Sequence, residues 1–313
     1  MPPPSQLLLT VIIVSYNTRL LTCACLCSLL PEARTLGSQV LVVDNGSTDG
    51  SPATIAEEFP EVEILALNGN LGFGAANNRA ATRSTARYLL LLNSDTVLHA
   101  GALRALIDCA TAHPDAGAIG ARLLNADGSL QPSCWRFPTL GQALGETFGL
   151  LRLIGRPSNY RPADYTAIRR VDFAVGACLL LDRQAFVRVG GFDEGFFMYA
   201  EETDLCRRLR AMGKYVYYTP ASVVTHLGGG SKRSSADQFH QFNSATERYF
   251  RKHHGARAVG AYRVVCVLRA ALRLLLWSVL CLVQPRSRAR LRERRDHSFR
   301  LLRWQFAALR RGR

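Results

Sequence analysis

The stretch Leu7-Leu-Leu-Thr-Val-Ile-Ile-Val14 is a continuous apolar run rich in Val and Ile, and Ser15-Tyr16-Asn17 follows it directly. Apolar runs of this length without alternation are typical of a strand buried on both faces, as in a parallel sheet. Asn17 and Thr18 supply N-cap residues for a helix that extends through Leu30. The stretch therefore predicts a strand followed by a helix, the repeating unit of an α/β fold.

The same pattern continues along the chain. Further strands are predicted at Gln39–Val43, Val62–Leu67, Tyr88–Leu92 and Ala116–Ile119, with helical stretches between them. This alternation predicts right-handed crossovers and a mostly parallel sheet with helices on both faces.

The pattern loosens between residues 122 and 170, where Asn125-Ala-Asp-Gly128 predicts a hairpin turn. Regularity returns at Val171–Leu181, followed by a predicted helix over Glu201–Met212 and a strand near Tyr215–Tyr218.

The positive charge of the 313-residue chain is concentrated at its C-terminal end. From Arg251 onward there are 17 Lys and Arg against two acids, whereas the first 250 residues hold 22 of each sign. We therefore predict one domain over residues 1–250 and a basic helical tail over 251–313. Nine cysteines without metal-ligand spacing, and an N-terminus without a basic n-region, predict reduced core thiols and no secretory signal.

The tail combines its charge with long apolar stretches. Val264–Val283 is long enough to span a bilayer, but Arg269 and Arg273 would each cost about 2.5–3.5 kcal/mol at a membrane centre. An interfacial helix fits this composition better. A second stretch has apolar residues at helical spacing among arginines, at Phe299, Leu302, Phe306 and Leu309.

Basic amphipathic helices suit anionic lipid headgroups. The tail thus predicts a peripheral protein on the cytoplasmic face of the cell membrane. The alternative is a soluble helical hairpin packed on the catalytic domain or on a second subunit, as in a homodimer. Nucleic acid is not expected as a partner, because the apolar content is high and no binding motif accompanies the charge.

Three polar clusters each follow an apolar strand, at residues 15–17, 44–49 and 93–95. Ligands of open α/β sheets bind beyond the carboxyl ends of the strands, so we expect the clusters to share one cleft. Taken singly, each cluster is equally well explained by helix capping.

Two residues are candidate metal ligands. Asp95 emerges from the wholly apolar run Leu89–Leu92, which would hold its carboxylate rigidly, and Mg²⁺ needs only one or two carboxylates beside substrate phosphates. His226 precedes a glycine-rich stretch and is a candidate nitrogen ligand to the same ion, although a lone His is more often structural.

Glu201, Glu202 and Asp204 are three acids in four positions at the start of a predicted helix. The helix dipole explains part of this pattern, and Asp204 has Arg207 or Arg208 as an ion-pair partner along the helix. A carboxylate flanked by Phe and Tyr also has the environment of a general base.

The glycines of residues 68–78 precede another predicted helix. Their backbone N–H groups suit an anion, or else form only a tight turn.

Together these motifs resemble the family-2 glycosyltransferases, which have the GT-A fold, a Rossmann-like α/β architecture. The resemblance runs in order, with family-like spacing, from about residue 8 to 235. It rests on Val11–Asn17, Val42–Ser51, Asn70–Asn78, Leu91–Asp95, Gly190–Cys206 and His226.

The resemblance implies a role for each matching residue. Asp44 would meet the nucleotide base, Asp95 and His226 would bind Mg²⁺ or Mn²⁺, and Glu202 would deprotonate the acceptor hydroxyl. Attack opposite the leaving diphosphate would invert the anomeric centre. The residues expected to bind nucleotide are Ser15, Asn17, Asp44, Asn45, Asn77 and Ser94.

Two positions depart from the family pattern. Asn93 replaces the first Asp of the family's metal motif, which lowers the negative charge there. Glu202 is one methylene longer than the usual Asp, so Glu201 and Asp204 stay open as alternative bases.

Within the family, the chain looks most like bacterial rhamnosyltransferases of cell-wall or O-antigen polysaccharide synthesis. That implies a metal-dependent inverting hexosyltransferase, with dTDP-rhamnose as donor and a polyprenyl-diphosphate-linked or saccharide acceptor. The alternatives are a nucleotidyltransferase and a non-catalytic, membrane-bound binder of nucleotide sugars.

Overall fold

The computed structural model describes residues 7–148, 160–228, 235–283 and 288–311. The chain divides into two compact units. The first comprises Met1–Phe137 and Asn159–Thr246, and the second comprises Pro138–Ser158 and Glu247–Arg313. The described part of 138–158 therefore groups with the C-terminal helices, although the charge pattern assigned it to the first domain. The predicted border at residue 250 stays a prediction.

The first unit has a ten-stranded main sheet and a separate two-stranded sheet, and its described strands follow the predicted alternation. They are β1 Leu9–Ser15, β2 Gln39–Asp44, β3 Glu63–Ala66, β4 Tyr88–Asn93, β5 Thr96–Leu98, β6 Ala116–Leu124, β7 Leu130–Gln131, β8 Cys134–Trp135, β9 Arg169–Val171, β10 Phe173–Ala174, β11 Cys178–Asp182 and β12 Tyr215–His226.

The strand order of the main sheet is β3-β2-β1-β4-β11-β6-β12-β5, with β7 on β6 and β9 on β12. The strands β3, β2, β1 and β4 are parallel, as predicted. The central strand β11 runs antiparallel to both β4 and β6, so the sheet is mixed. The apolar run of β11 predicted a buried strand, but burial on both faces does not determine strand direction.

Helices cover both faces of this sheet. The described helices of the first unit are α1 Arg19–Thr35, α2 Ser51–Glu58, α3 Phe73–Ala81, α4 Ala102–Ala112, α6 Arg183–Arg188 and α7 Glu201–Ala211. One core contains Val11 and Ile13 with residues of α1, α2 and α4. The other contains Ile12 with residues of α3, α6 and α7. Alternate residues of β1 thus enter opposite cores, which makes β1 a fully buried central strand.

The strand β12 is much longer than the predicted strand near Tyr215–Tyr218. Its pairing with β6 shifts register between Thr219 and Val223, around Pro220. Proline cannot donate to the ladder and is tolerated at such a bulge. The extension carries His226 to the edge of the sheet at which β1, β2 and β4 end.

The second unit is helical in its described part. It contains α5 Leu140–Thr147, α9 Ala256–Val283 and α10 Arg288–Arg311, while α8 Ser235–His254 crosses the border between the units. Thr139 begins α5 with a capping box in which its hydroxyl accepts from Gln142 N and the Gln142 side chain accepts from Thr139 N. Two of the N–H groups that lack a partner at the start of this helix are thereby satisfied.

Candidate active site

A cleft of about 270 Å³ opens at the carboxyl ends of the parallel strands. Ser15 lies beside Asp44 in the β1–β2 register, and Val14 lies beside Asn93 in the β1–β4 register. All three polar clusters therefore reach one edge of the sheet. The cleft is lined by Val14, Tyr16, Asn45, Asn70, Gly72, Phe73, Asn93, Ser94, Asp95, Met198, Tyr199, His226 and Gln238.

Asp95 and His226, the two predicted metal ligands, lie side by side in this cleft. Antiparallel pairing of β5 with β12 places His226 opposite Thr96. Asp95 Oδ1 is 3.3 Å from His226 Nε2. Asn93 Nδ2 is 3.4 Å from the same nitrogen. Residues 131 positions apart in the sequence thus present a carboxylate oxygen and an imidazole nitrogen to one point.

This pair has the chemistry and spacing of two metal ligands. Adjacent ligands of an octahedral ion, at about 2.1 Å from it, lie about 3 Å apart. Among the described residues there is no group of three or more His, Cys, Asp or Glu side chains that could hold a metal. A divalent ion bound here would thus draw its other ligands from elsewhere, as Mg²⁺ does when it keeps waters and binds substrate phosphates.

The other nitrogen of His226 is held by Gln131, a residue that sequence reasoning missed. His226 Nδ1 is 2.7 Å from Gln131 Oε1, and Gln131 Nε2 donates to the carbonyl of His226 at 3.2 Å. Gln131 lies three residues after the predicted hairpin turn, and the structure confirms that hairpin through the pairing of β6 with β7. The sequence predicts the turn, but it does not predict the contact of Gln131 with β12.

Ser15 is placed away from the role predicted for it. Its side chain is fully buried, and its hydroxyl bonds to Thr18 and Thr22, 3.0 Å from each. Thr18 in turn bonds to Ser94 at 3.0 Å. The Ser15 side chain thus belongs to a buried hydroxyl network beneath the cleft, and the nucleotide contact expected of this residue stays a prediction. Ser94 belongs to the same network and also lines the cleft.

Asn17 joins the first polar cluster to the second. It adopts φ +54°, a conformation that Asn tolerates better than most residues. Its N–H donates to Ser47 Oγ at 2.9 Å, and its Oδ1 accepts from Thr48 N at 2.8 Å. The side-chain oxygen expected to contact nucleotide thus holds the loop after β2.

Asp44 is buried at the end of β2, and its two carboxylate oxygens differ. Oδ2 accepts from the N–H of Ser47 at 3.1 Å. Oδ1 is buried and has no hydrogen-bond partner among the described residues. An acceptor oxygen left in this state is costly unless a donor reaches it.

Asn45 fastens the glycine-rich loop to the sheet. Its Oδ1 accepts from Leu71 N at 2.9 Å, Asn70 Oδ1 accepts from Gly72 N at 3.0 Å, and Phe73 N donates to Phe197 O at 3.1 Å. Three successive N–H groups are thereby engaged within the protein. These three donors are therefore not available to an anion, which favours the tight-turn interpretation for this part of the loop.

Asn77 is also structural. It is buried in α3, and its Nδ2 donates to the carbonyl of Phe73, one turn earlier, at 2.9 Å. Its Oδ1 is buried and has no hydrogen-bond partner in the described chain. Asn77 is not among the residues that line the described cleft, and neither are Asp44, Glu201 and Glu202, so the nucleotide contact of Asn77 stays a prediction.

Glu201, which is buried, and Glu202, which is half-buried, lie side by side at the start of α7. One oxygen of each carboxyl, Oε2, is buried without a hydrogen-bond partner among the described residues. Burial, followed by the nearby charge of Glu202, raises the pKa of Glu201 well above its usual range. Burial also raises the pKa of Glu202. Carboxyls with raised pKa values are the expected form of a general base or acid.

Asp204 has a different environment from these two acids. Its side chain is fully buried, Arg208 Nε donates to its Oδ2 at 2.8 Å, and Arg208 Nη2 lies 2.8 Å from the same oxygen as an ion pair. Arg208 also donates from Nη1 to the carbonyl of Val189 at 2.6 Å. Asp204 thus forms an i,i+4 ion pair within α7, which favours Glu201 and Glu202 over it as the base; the choice among the three acids stays a prediction.

The segment before α7 closes one side of the cleft in a strained conformation. Tyr199 and Ala200 have φ values of +71° and +64°, which non-glycine residues rarely adopt. A Cβ on Gly72, at φ +86°, would collide with the carbonyl of Phe197. The glycine-rich loop and this segment are therefore in backbone contact, which only glycine permits at position 72.

Comparison with known proteins gives a class to this fold and cleft. The model of the family "Glycosyl transferase family 2" matches residues 10–186, more than half of the chain. Mannosyltransferase PcManGT from Pyrobaculum calidifontis, solved in complex with GDP-Man and Mn²⁺, superposes with a TM-score of 0.58. That match covers 96% of this chain and 88% of the other at 19% identity, so it bears on the fold alone. The fold is GT-A, as the motifs predicted.

The chain belongs to glycosyl transferase family 2. It is 34% identical, over 210 residues, to the N-acetylglucosaminyl-diphospho-decaprenol L-rhamnosyltransferase of Mycobacterium tuberculosis. That match covers 60% of this chain and 66% of the relative, just under two thirds of its length. Rhamnosyltransferase WbbL of Escherichia coli K12 is 44% identical over 64 residues, which cover 20% of this chain and 24% of that protein. The predicted resemblance to rhamnosyltransferases of this family is thereby confirmed.

Proposed function

We propose that the chain is an inverting glycosyltransferase that moves rhamnose from dTDP-rhamnose to a polyprenyl-diphosphate-linked saccharide in surface-polysaccharide synthesis. The meeting of Asp95 Oδ1 and His226 Nε2, 3.3 Å apart in a cleft at the strand ends, carries this proposal. The names of the mycobacterial and Escherichia coli relatives support rhamnose as the sugar, and the former supports a lipid-diphosphate acceptor.

Asp44 is the proposed contact to the nucleobase. Its buried Oδ1 lacks a donor in the described chain. Thymine and uracil each carry one ring N–H that suits a carboxylate acceptor, and such a charge-assisted bond is among the stronger ones. Asn17 supports this contact indirectly, since it holds the loop that follows Asp44.

Asp95 and His226 are the proposed metal ligands. A divalent ion bound there would neutralise charge on the leaving diphosphate. The imidazole nitrogen favours Mn²⁺ over Mg²⁺, because affinity for nitrogen ligands rises along the transition series while Mg²⁺ prefers oxygen. Asn93, in place of a second carboxylate, leaves fewer negative charges around the ion.

Glu202 is the proposed base. It would accept the proton of the acceptor hydroxyl while the acceptor oxygen bonds to the anomeric carbon of the donor. The bond from that carbon to the diphosphate oxygen breaks on the opposite face, and the electron pair leaves with the nucleoside diphosphate. The raised pKa of Glu202 supports this role, because it makes the carboxylate a stronger base.

A peripheral position on the cytoplasmic membrane face is the proposed location. The helix α9 meets the length and composition expected of a membrane span, but its apolar surface is one-sided. One face is buried within the helical unit, including Val265, Cys266 and Ala270. The other is an exposed stripe at helical spacing, formed by Val264, Leu268, Leu272, Leu275, Leu276, Val279 and Val283.

Two arginines of α9 face into its own unit. Arg263 pairs with Glu247 at 2.7 Å, and Arg269 donates to Ala143 O at 2.9 Å. A one-sided apolar stripe on a strongly basic unit fits a helix lying in the headgroup region of an anionic bilayer. A second copy of the chain is a less favourable partner for this stripe than a bilayer, since it would bring two basic tails together.

The proposed function is tested by release of nucleoside diphosphate from dTDP-, UDP- and GDP-sugars, with a lipid extract as acceptor, with and without EDTA. We expect release that requires dTDP-rhamnose, the lipid and a metal. If the folded protein released nucleoside diphosphate equally well in the presence of EDTA, the metal role would be excluded. No release from any donor would favour a non-catalytic binder of nucleotide sugars.

A further inference from the structure

The hairpin between β6 and β7 carries a chain of hydrogen bonds that ends at His226. Asp127 Oδ1 accepts from Ser129 Oγ at 2.6 Å, and Ser129 Oγ accepts from Asn125 Nδ2 at 2.9 Å. Asn125 Oδ1 then accepts from Gln131 Nε2 at 2.9 Å, and Gln131 Oε1 lies 2.7 Å from His226 Nδ1.

The direction of this chain follows from its ends. The Asp127 carboxylate only accepts hydrogen bonds, so the Ser129 hydroxyl must donate to it and its lone pair faces Asn125. The carbonyl of His226 also only accepts, and it takes its bond from Gln131 Nε2 at 3.2 Å. Since Gln131 Nε2 must donate both to Asn125 Oδ1 and to the His226 carbonyl, Gln131 Oε1 is the atom that faces the imidazole.

His226 Nδ1 must then carry the hydrogen, because its neighbour is an oxygen that can only accept. The neutral ring has one N–H, so Nε2 keeps its lone pair. Nε2 lies 3.3 Å from Asp95 Oδ1, which is the arrangement of two ligands around a shared cation. Asn93 Nδ2, at 3.4 Å, donates toward the same lone pair.

We propose that Gln131, ordered by the hairpin residues Asn125, Asp127 and Ser129, is a positioning residue that holds His226 in its Nδ1–H tautomer and aims Nε2 at the cation site. The proposal rests on the metal role proposed for Asp95 and His226. Outer partners of metal-binding histidines act in this way, and their loss commonly lowers metal affinity by about 10- to 100-fold.

The first readout is the tautomer itself, which needs neither metal nor activity. Two-bond ¹H–¹⁵N correlation spectra of histidine-labelled protein identify which ring nitrogen carries the hydrogen, and His226→Ala assigns the signal. We expect Nδ1–H in the wild type. Gln131→Met, of similar size without an acceptor, should lose this preference, and Gln131→Glu, which keeps an acceptor, should retain it.

The second readout is Mn²⁺ affinity by calorimetry without any sugar donor. Gln131→Met should bind Mn²⁺ about 10- to 100-fold more weakly, with recovery in Gln131→Glu. Gln39→Met is the matched control, since Gln39 also bridges two side chains, Thr10 and Glu63, but at the start of β2. It should leave both readouts unchanged.

The outcomes separate this inference from the function on which it rests. An Nε2–H signal in the wild type, or an unchanged Nδ1–H signal in a folded Gln131→Met variant, would overturn the positioning role. A wild type that shows the expected tautomer but binds no Mn²⁺, even with a nucleoside diphosphate present, would instead overturn the metal role of the proposed function. Should Gln131→Met not fold, Asp127→Ala at the exposed turn tests the same chain, with a smaller loss expected.

Discussion

At the scale of single residues, the start of α7 separates three acids that look alike in the sequence. Asp204 is neutralised by Arg208, whereas Glu201 and Glu202 each keep a buried oxygen without a hydrogen-bond partner among the described residues. Their different surroundings predict different consequences of substitution.

Replacing Glu202 should abolish chemistry without unfolding the protein. We expect Glu202→Gln to lower turnover by about 10²- to 10⁴-fold, the usual contribution of a general base, with an unchanged melting temperature at acidic pH. Turnover and circular dichroism of the same preparation measure both. A larger loss in Glu201→Gln than in Glu202→Gln would move the base to Glu201.

Asp204→Asn serves as the contrast to these variants. Removing one partner of a buried ion pair costs about 3–5 kcal/mol, so we expect a loss of unfolding free energy in urea. Normal stability with lost turnover would favour Asp204 as the base instead.

The raised pKa of Glu201 predicts a pH-dependent effect on stability. A carboxyl whose pKa is higher in the folded state than in the unfolded state, about 4.3, binds more protons when folded. Its stabilising contribution is therefore complete below that value and is lost as pH rises through the folded pKa.

Glu201→Gln removes this dependence. We expect the variant to melt at a higher temperature than the wild type at pH 8, with the gain shrinking toward pH 4. The control is Glu57→Gln, on the exposed side of α2, which should show no such trend. If Glu201→Gln were less stable than the wild type at pH 8, that result would contradict the burial of this carboxyl with its Oε2 lacking a hydrogen-bond partner among the described residues.

At the scale of elements, the cleft depends on backbone contact between the glycine-rich loop and the segment before α7. Gly72 and Gly101 both have positive φ, +86° and +81°, but only Gly72 meets another chain segment where a Cβ would lie. Gly101 therefore serves as a comparison position, with positive φ but no such contact.

Gly72→Ala should destabilise the protein more than Gly101→Ala. Gly101 has ψ 2° and is left-handed helical, where a Cβ costs about 1–2 kcal/mol. Gly72 has ψ 176°, in a region that is essentially restricted to glycine, and Gly72→Ala adds a collision with the Phe197 carbonyl. Urea unfolding measures the difference, and we also expect weaker donor binding in Gly72→Ala alone. Equal losses of unfolding free energy in the two variants would mean that the backbone at Phe197 shifts to accommodate the added methyl group at little cost.

At the scale of the whole molecule, the chain combines a neutral α/β unit with a basic helical unit. The exposed stripe of α9 is a continuous apolar surface that the helical unit leaves uncovered in the described residues. Buried leucine side chains are worth about 1.5–3 kcal/mol each, so the stripe offers a strong apolar contribution to membrane binding.

The double substitution Leu272→Glu and Leu275→Glu should release the protein from membranes. We expect affinity for phosphatidylcholine vesicles containing phosphatidylglycerol to fall more than about 100-fold, and to weaken in the wild type at high salt. Vesicle sedimentation measures this. The control is Val187→Glu, an exposed apolar residue of the α/β unit, which should bind as the wild type does. Loss of a dimer with unchanged vesicle binding would assign the stripe to a second copy instead.

Much of the fold was predictable because local signals agree. The apolar runs of β1, β2 and β4 predicted buried parallel strands, and the polar residues behind them predicted a cleft at one edge of the sheet. Asp95 and His226 were predicted from their flanking residues and the family pattern. The direction of β11 was not predictable, because an apolar run reads the same in either orientation.

The sequence by itself determined the α/β class, the family and the short list of chemical groups, since these depend on periodicity and on motifs within a few residues. Only the tertiary structure decided which of those groups face the cleft. It buried Ser15 in a hydroxyl network, engaged the N–H groups of the glycine-rich loop, paired Asp204 with Arg208, and brought Gln131 to His226 across 95 residues. Such choices depend on contacts between distant elements, whose register is set by packing of the whole sheet rather than by any local pattern.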